Sequence, residues 1–187
     1  MLYGVYSLLR MQAAGQVTVP LSVTEQSVYD LRILNHWDNL DGTVERGYAG
    51  CSLWNWEELP GTLSPRYEAY ARANASVGIN GTVLNNVNAS PQVLATGSLE
   101  KVKALADVFR PYGIKVYLSV NFASPIQLGK LDTADPLDKE VIRWWRRKVK
   151  EIYTLIPDFG GFLVKANSEG QPGPVSYTHL RAHETGR

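Results

Sequence analysis

The chain carries one cysteine, Cys51, in 187 residues. A lone thiol excludes an intrachain disulfide framework and a cysteine-built zinc site. Histidine is nearly as scarce: His36, His179 and His183 are the three, and the last two fall near the C-terminus. That leaves little material for a histidine-rich metal centre, so the expectation is no metal. No run of about 18 apolar residues occurs, which excludes a transmembrane helix. Neither sign of charge dominates, with 19 Lys and Arg against 18 Asp and Glu. The balance gives no electrostatic reason to expect nucleic acid or an anionic membrane as partner. Gly-x-Gly-x-x-Gly and the P-loop pattern are both missing, which lowers nucleotide readings.

What is present has an ordinary globular balance, 44% hydrophobic and 20% charged, enough for one core in one domain or a piece of a larger one. The first ten residues lack a basic start and a cleavage site, so they make a poor signal peptide. Tyr3, Tyr6 and Arg10 mixed with Leu8 and Leu9 read instead as the last turns of an amphipathic helix. Further on, short apolar runs alternate with amphipathic segments. Leu31 to Leu34 predicts a strand. Ser64-Pro65 opens a helix to Ser76 with Tyr67, Tyr70 and Ala71 on one side, because Ser caps and Pro suits the first helical position. Thr82 to Leu84 predicts a second strand.

Ser98 is the expected cap of a helix carrying Leu99, Val102, Ala106 and Phe109 at spacings of three and four. Pro111-Tyr112-Gly113 stops it before a third strand, Ile114 to Val120. Asp135-Pro136 is expected to open another helix, with Val141, Trp145, Val149 and Ile152 inward. Arg143, Arg146, Arg147, Lys148 and Lys150 on that helix read as a solvated face, interrupted by Trp144, Trp145, Val149 and Ile152 as core-facing positions. Phe162 to Val164 predicts a fourth strand. Strands alternating with helices of this length imply βαβ units and a parallel sheet. Two α/β architectures fit: a curved sheet forming part of a (β/α)₈ TIM barrel, with about four βα units, and a doubly wound flavodoxin-like sheet.

Each predicted strand ends in polar or aromatic groups: Trp37-Asp38, Asn86 to Asn88, Asn121, and Lys165 to Glu169. In a (β/α)₈ barrel such ends face the active site. Amides bond hydroxyls and an aromatic face covers sugar C–H groups, so the set suits a polyhydroxylated ligand. Taken singly, each residue has two readings. Glu169, on a Gly/Pro turn, suits a general acid of raised pKa or a solvated loop glutamate. Lys165 suits an anionic substrate group or a lysine reaching water. Trp37 suits a sugar platform or the edge of the core. His36 reads as a structural hydrogen-bonding residue.

Three contiguous stretches then become specific: residues 32–50, with His36-Trp37-Asp38-Asn39-Leu40-Asp41-Gly42; residues 78–88, ending Asn85-Asn86-Val87-Asn88; and residues 165–174, opening Lys165-Ala166-Asn167-Ser168-Glu169. They resemble the α-glucuronidases of glycoside hydrolase family 67, with a likeness running from about Leu2 to Pro174. The resemblance implies a (β/α)₈ barrel that removes α-1,2-linked glucuronic acid, or its 4-O-methyl ether, from xylo-oligosaccharides. It implies inversion and no cofactor.

On this resemblance Glu169 is the general acid and Lys165 approaches the uronic acid. Trp37 frames the sugar pocket and Val87 walls the O-methyl group, while Asp38, Asn88 and Asn121 complete the expected substrate contacts. The partners implied are glucuronoxylan-derived oligosaccharides, with homodimerisation expected of full-length members. The family's water-activating carboxylates come from later barrel strands. The expected division is residues 1–28 as a remnant of an N-terminal domain and linker, 29–174 as the first half of the barrel, and 175–187 as a tail outside the family pattern. The chain alone is expected to be inactive. A non-catalytic carbohydrate-binding fragment is the alternative.

Overall fold

Four short parallel strands organise the chain in a computed structural model that describes residues 2–17, 22–88 and 90–164. They are β1 (Ile33–Asn35), β2 (Gly81–Val83), β3 (Lys115–Ser119) and β4 (Gly161–Leu163), each beside its predecessor in the order β1-β2-β3-β4. The helices are α1 (Leu2–Ala13), α2 (Pro65–Ser76), α3 (Thr96–Phe109), α4 (Ser124–Gln127) and α5 (Lys139–Leu155). Parallel neighbours require crossovers, and α2, α3 and α5 supply them. A flavodoxin-like sheet reverses its strand order after the first crossover. No reversal occurs among these strands, so the doubly wound alternative fails. Sequential order is what barrel closure also requires.

The start of α2 is as expected: the Ser64 hydroxyl accepts from the Arg66 N–H, with Pro65 in the first turn. Two other expected starts need correction. Ser98 is not the cap of α3. Ala95, extended at φ −66° and ψ 146° after a 3₁₀ turn over Pro91–Leu94, takes the cap position, so α3 begins at Thr96 and Ser98 lies inside its first turn. The Ala95 carbonyl accepts the N–H groups of Ser98 and Leu99, both at 2.9 Å. Asp135-Pro136 does not open α5 either. Asp138 does, its Oδ1 accepting from the N–H groups of Glu140 at 2.8 Å and Val141 at 3.1 Å. Asp135 Oδ1 instead closes a turn with the Leu137 N–H at 2.8 Å. Where two aspartates lie three residues apart, the one whose following N–H groups continue a helix becomes the cap.

Burial along β3 shows the two faces of the sheet. Val116 and Leu118 join Leu84, Leu99, Val102, Leu105, Phe109 and Ile152 in the core beneath the helices. Alternation turns Tyr117 to the other face. There its ring lies so close to two glycines that an added Cβ would stand 2.8 Å away at Gly81 and 2.4 Å away at Gly160. In α5 the more deeply buried indole is Trp144 rather than Trp145, with Val141 and Ile152 beside it. Trp145 is half-buried and meets Trp144 edge-on at 4.8 Å. Arg143, Arg146, Arg147 and Lys150 are exposed, the solvated face expected of them, but Lys148 is half-buried and pairs with Glu151 at 2.7 Å. No helix among the described residues is long and apolar enough to cross a membrane.

Candidate functional site

The site is built where the chain leaves β1, β2 and β3 at their carboxyl ends. After β1 it makes a long excursion, tied by antiparallel bridges between Asp38 and Val44 and between Thr43 and Cys51. His36 points back beneath this excursion. Its Nε2 lies 2.7 Å from the Tyr70 hydroxyl, which lies 2.9 Å from Thr82 Oγ1 on β2. Trp54 packs edge-on against both His36 and Tyr70 and donates its indole N–H to the Leu84 carbonyl at 3.0 Å. Burial pushes the His36 pKa down, with the Asp38 carboxylate opposing it. Burial also pushes the Tyr70 phenol up to about 12, against the Thr82 hydrogen bond. His36 is thus a neutral structural ligand of Tyr70, as its sequence position suggested.

Asp38 is buried, and its Oδ1 accepts from the Ser52 hydroxyl at 2.5 Å and the Leu53 N–H at 2.7 Å. Its Oδ2 lies 3.6 Å from His36 Nδ1. The carboxylate therefore closes the excursion onto its own base. Trp37, between His36 and Asp38, has its side chain one-third exposed, and its carbonyl accepts the Glu45 N–H at 2.9 Å.

At the end of β2 two neighbouring amides bind in opposite directions. Asn85 reaches β3, its Nδ2 donating to the Ser119 carbonyl and its Oδ1 accepting the Ser119 N–H. Asn86 reaches the β1 excursion, its Nδ2 donating to Asn39 Oδ1 at 3.0 Å and to the Glu45 carbonyl at 2.9 Å. Its Oδ1 accepts the Asn88 N–H at 2.9 Å. Asn39 Nδ2 adds bonds to Thr43 Oγ1 and to the Glu45 carbonyl, both 2.9 Å. This lattice of short amides fixes the loops to one another, since a buried amide left unpaired would cost more than its bond returns.

Among the residues expected to bind substrate, Asp38 and Asn88 share a cleft of about 300 Å³, with Asp41, Asn85, Asn86 and Ser90 also in its wall. Trp37, Val87 and Asn121 are outside that lining. Val87 is buried, and Asn121 is half-buried, its Oδ1 accepting the Ala123 N–H at 2.8 Å beyond β3. Lys165 and Glu169 lie outside the described residues. Sequence reasoning did not single out Asn39, Asn85 or Glu45. The run Asn85-Asn86 was the visible signal, because consecutive amides at a strand end can bond two neighbours at once. Nothing in the sequence marks Glu45. No group of three or more His, Cys, Asp or Glu side chains among the described residues is arranged to hold a metal ion.

A parallel β/α sheet in sequential strand order, with amides, an indole and carboxylates gathered at its strand exits, defines an α/β domain of the kind that closes into a barrel. The comparisons narrow this class. The model of the glycosyl hydrolase family 67 middle domain matches residues 11–186, so the chain belongs to that family. Over 97% of its length the chain is similar to three fungal proteins. It is 47% identical to a probable alpha-glucuronidase A of Aspergillus clavatus, 46% to alpha-glucuronidase A of Emericella nidulans and 45% to the alpha-glucuronidase of Hypocrea jecorina. It spans only about a fifth of the length of these curated relatives, 21–22%.

Proposed function

We propose that this chain forms part of the catalytic barrel of an α-glucuronidase. The enzyme would release α-1,2-linked glucuronic acid, or its 4-O-methyl ether, from xylo-oligosaccharides by hydrolysis with inversion. The observation that carries the reading is the family match over nearly the whole chain, together with relatives named alpha-glucuronidase. The polar strand exits are compatible with a sugar acid.

In this reading the Glu169 carboxyl protonates the departing xylose oxygen. A second carboxylate, contributed from beyond this chain, activates water on the opposite face of the sugar, the two standing about 6.5–9.5 Å apart. Lys165 meets the uronic carboxylate. An ammonium close to Glu169 would also lower the pKa of that acid, so the pocket must keep the two apart or offset the lysine with apolar contact. Trp37 frames the sugar and Val87 bounds the 4-O-methyl position, with Asp38, Asn88 and Asn121 supporting the same pocket. In this reading the chain alone is expected to be inactive.

The test is Glu169→Gln in the full-length polypeptide that carries this segment. Release of 4-O-methylglucuronic acid from aldouronic acids should fall by at least about two orders of magnitude. Cleavage of an aryl glucuronide whose phenolate leaves without protonation should fall much less. Equal activity of the variant on xylose-linked substrate would refute the assignment.

A further inference from the structure

The polar side chains that line the cleft beyond β1 and β2 are mostly engaged within the protein. Asn85 and Asn86 use their amides on Ser119, Asn39 and Glu45. Asp41 Oδ1 accepts the Thr43 N–H at 3.0 Å and the Thr43 hydroxyl at 2.7 Å. Asp38 differs. Its side chain is only 5% exposed, yet Oδ1 alone is engaged, by the Ser52 hydroxyl and the Leu53 N–H. Oδ2 has no hydrogen-bond donor among the described residues, because His36 Nδ1, at 3.6 Å, lies beyond bonding distance. A carboxylate buried this deeply with one oxygen unbonded costs stability. The cleft that Asp38 lines is where a donor can reach it.

Behind that carboxylate stands a file of three polar side chains, His36, Tyr70 and Thr82. His36 Nε2 is 2.7 Å from the Tyr70 hydroxyl, which is 2.9 Å from Thr82 Oγ1. The Tyr70 ring is held by Trp54 and Phe109, with centroids 5.2 and 5.7 Å away. Burial keeps the imidazole neutral, so it carries one N–H. With the proton on Nε2, the Nδ1 lone pair would face the Asp38 carboxylate. With the proton on Nδ1, the N–H dipole points at Asp38, and Nε2 accepts from the Tyr70 hydroxyl, which accepts from Thr82. The carboxylate selects the second tautomer, and Tyr70 supplies the donor that it needs. Apolar side chains of the same shape would fill this space at little loss of stability. The polarity of the file is therefore explained by the group at its open end.

We propose that His36 and Tyr70 are positioning residues of the cleft: they hold Asp38 so that Oδ2 faces it as an acceptor for a sugar hydroxyl. The inference rests on the α-glucuronidase reading. The Nδ1–H dipole attracts Oδ2 from a distance too long to occupy it, so the oxygen is oriented but keeps its lone pairs for a hydroxyl. Ser52 and Leu53 fix the other oxygen, and the carboxylate plane is thereby set from both ends.

Calorimetry with glucuronosyl-xylobiose on the full-length polypeptide tests this, using wild type, Tyr70→Phe, Asp38→Asn and the double variant. Tyr70→Phe keeps the ring and deletes only the hydroxyl. It should weaken binding about three- to tenfold, and Asp38→Asn about tenfold or more. The double variant should lose no more than Asp38→Asn alone, because Tyr70 acts through that carboxylate. A hydroxyl that merely supports the fold would lower the thermal midpoint and leave the dissociation constant unmoved. Unchanged binding by Tyr70→Phe, or the same fold-loss from it whether or not Asp38 is replaced, would overturn the proposal. Nitrogen NMR of His36 adds a check that depends on no variant: wild type should show the Nδ1–H tautomer, and the Nε2–H form would overturn the proposal equally. Turnover of the oligosaccharide by wild type is read separately. Binding without turnover sinks the hydrolase reading and leaves the comparison of variants standing, and a wild type that does not bind the oligosaccharide overturns both.

Discussion

The side-chain amide of Asn85 makes both hydrogen bonds to the backbone of Ser119: its Oδ1 accepts the Ser119 N–H at 2.9 Å and its Nδ2 donates to the Ser119 carbonyl at 3.0 Å. Val83 pairs with Tyr117 in the sheet, so Asn85 stands opposite Ser119 two residues beyond the end of β2. The side chain there takes the place of a backbone ladder. Main chain is thereby released for other work, and the Asn86 N–H uses it to bond the Asp38 carbonyl at 2.8 Å. The exit of β2 thus joins the loops of β1 and β3.

Asn85→Ala leaves a buried N–H and C=O of Ser119 without these partners, at about 1–3 kcal/mol. Asn85→Asp keeps the acceptor but sets a carboxylate against the Ser119 carbonyl, so it should destabilise at least as much at neutral pH. Urea unfolding of the full-length polypeptide measures both. A midpoint shift under about 0.5 kcal/mol for either variant would show that the side-chain ladder is dispensable.

Gly160→Ala should also destabilise, because its Cβ would meet the Tyr117 ring at 2.4 Å. The ring has little room to move, since Gly81 lies against it on the neighbouring strand. Overpacking of this kind costs about 1–3 kcal/mol. Shortening the ring with Tyr117→Val opens the space, so the double variant should be less destabilised than the sum of the two singles. Additive losses would mean that the ring is not what excludes a side chain at Gly160.

The His36–Tyr70 pair predicts pH dependence at two ends. The folded pKa of His36 lies below 6.5, so as pH falls beneath 6.5 the unfolded chain takes the proton first and stability declines. For Tyr70 the folded pKa is pushed up to about 12 from 10, so its contribution is intact below pH 10 and lost as pH rises from 10 toward 12. His36→Gln should flatten the stability profile below about pH 6.5. Tyr70→Phe should remove the alkaline limb. Unfolding midpoints collected across pH check both, and a wild-type slope surviving His36→Gln would assign the acidic limb elsewhere.

The strand and helix alternation was legible because apolar runs and caps are local signals. Ser64-Pro65 marked α2, and Gly113, at φ +69°, ended the helical run after α3. Legibility failed where two local solutions competed. Ser98 and Asp135 are both good caps by type, but the extended Ala95 before Thr96 and the second aspartate, Asp138, decided the starts. Burial in α5 depended on which of two adjacent indoles met the core, and spacings of three and four are equally helical. In the site, Asn86 and Asn88 were visible as polar strand exits. Their partners were not, because Asn86 bonds Asn39 across 47 residues of sequence. The left-handed Glu45, at φ +60°, was invisible, since residue type there argues against the conformation it adopts.

The 187-residue chain by itself should self-associate through its sheet edges. The outer edges of β1 and β4 have no neighbour among the described residues, as each strand pairs on one side only. Ile33-Leu34-Asn35 and Gly161-Phe162-Leu163 carry no proline or charge to discourage pairing. Apolar side chains flank them in the open: Val28 is 90% exposed, Tyr29 73%, Leu31 63% and Val164 53%. Three-residue strands limit how firmly one edge can template another, yet these neighbours extend the sticky surface past each end. Expressed alone, the chain should therefore elute from size exclusion as polydisperse oligomers and bind a hydrophobic dye such as ANS. The full-length polypeptide, in which more chain is available to cover these edges, should do neither. If the isolated chain ran as a monodisperse monomer with a cooperative unfolding transition, the β1 and β4 edges would have to be protected within this segment itself.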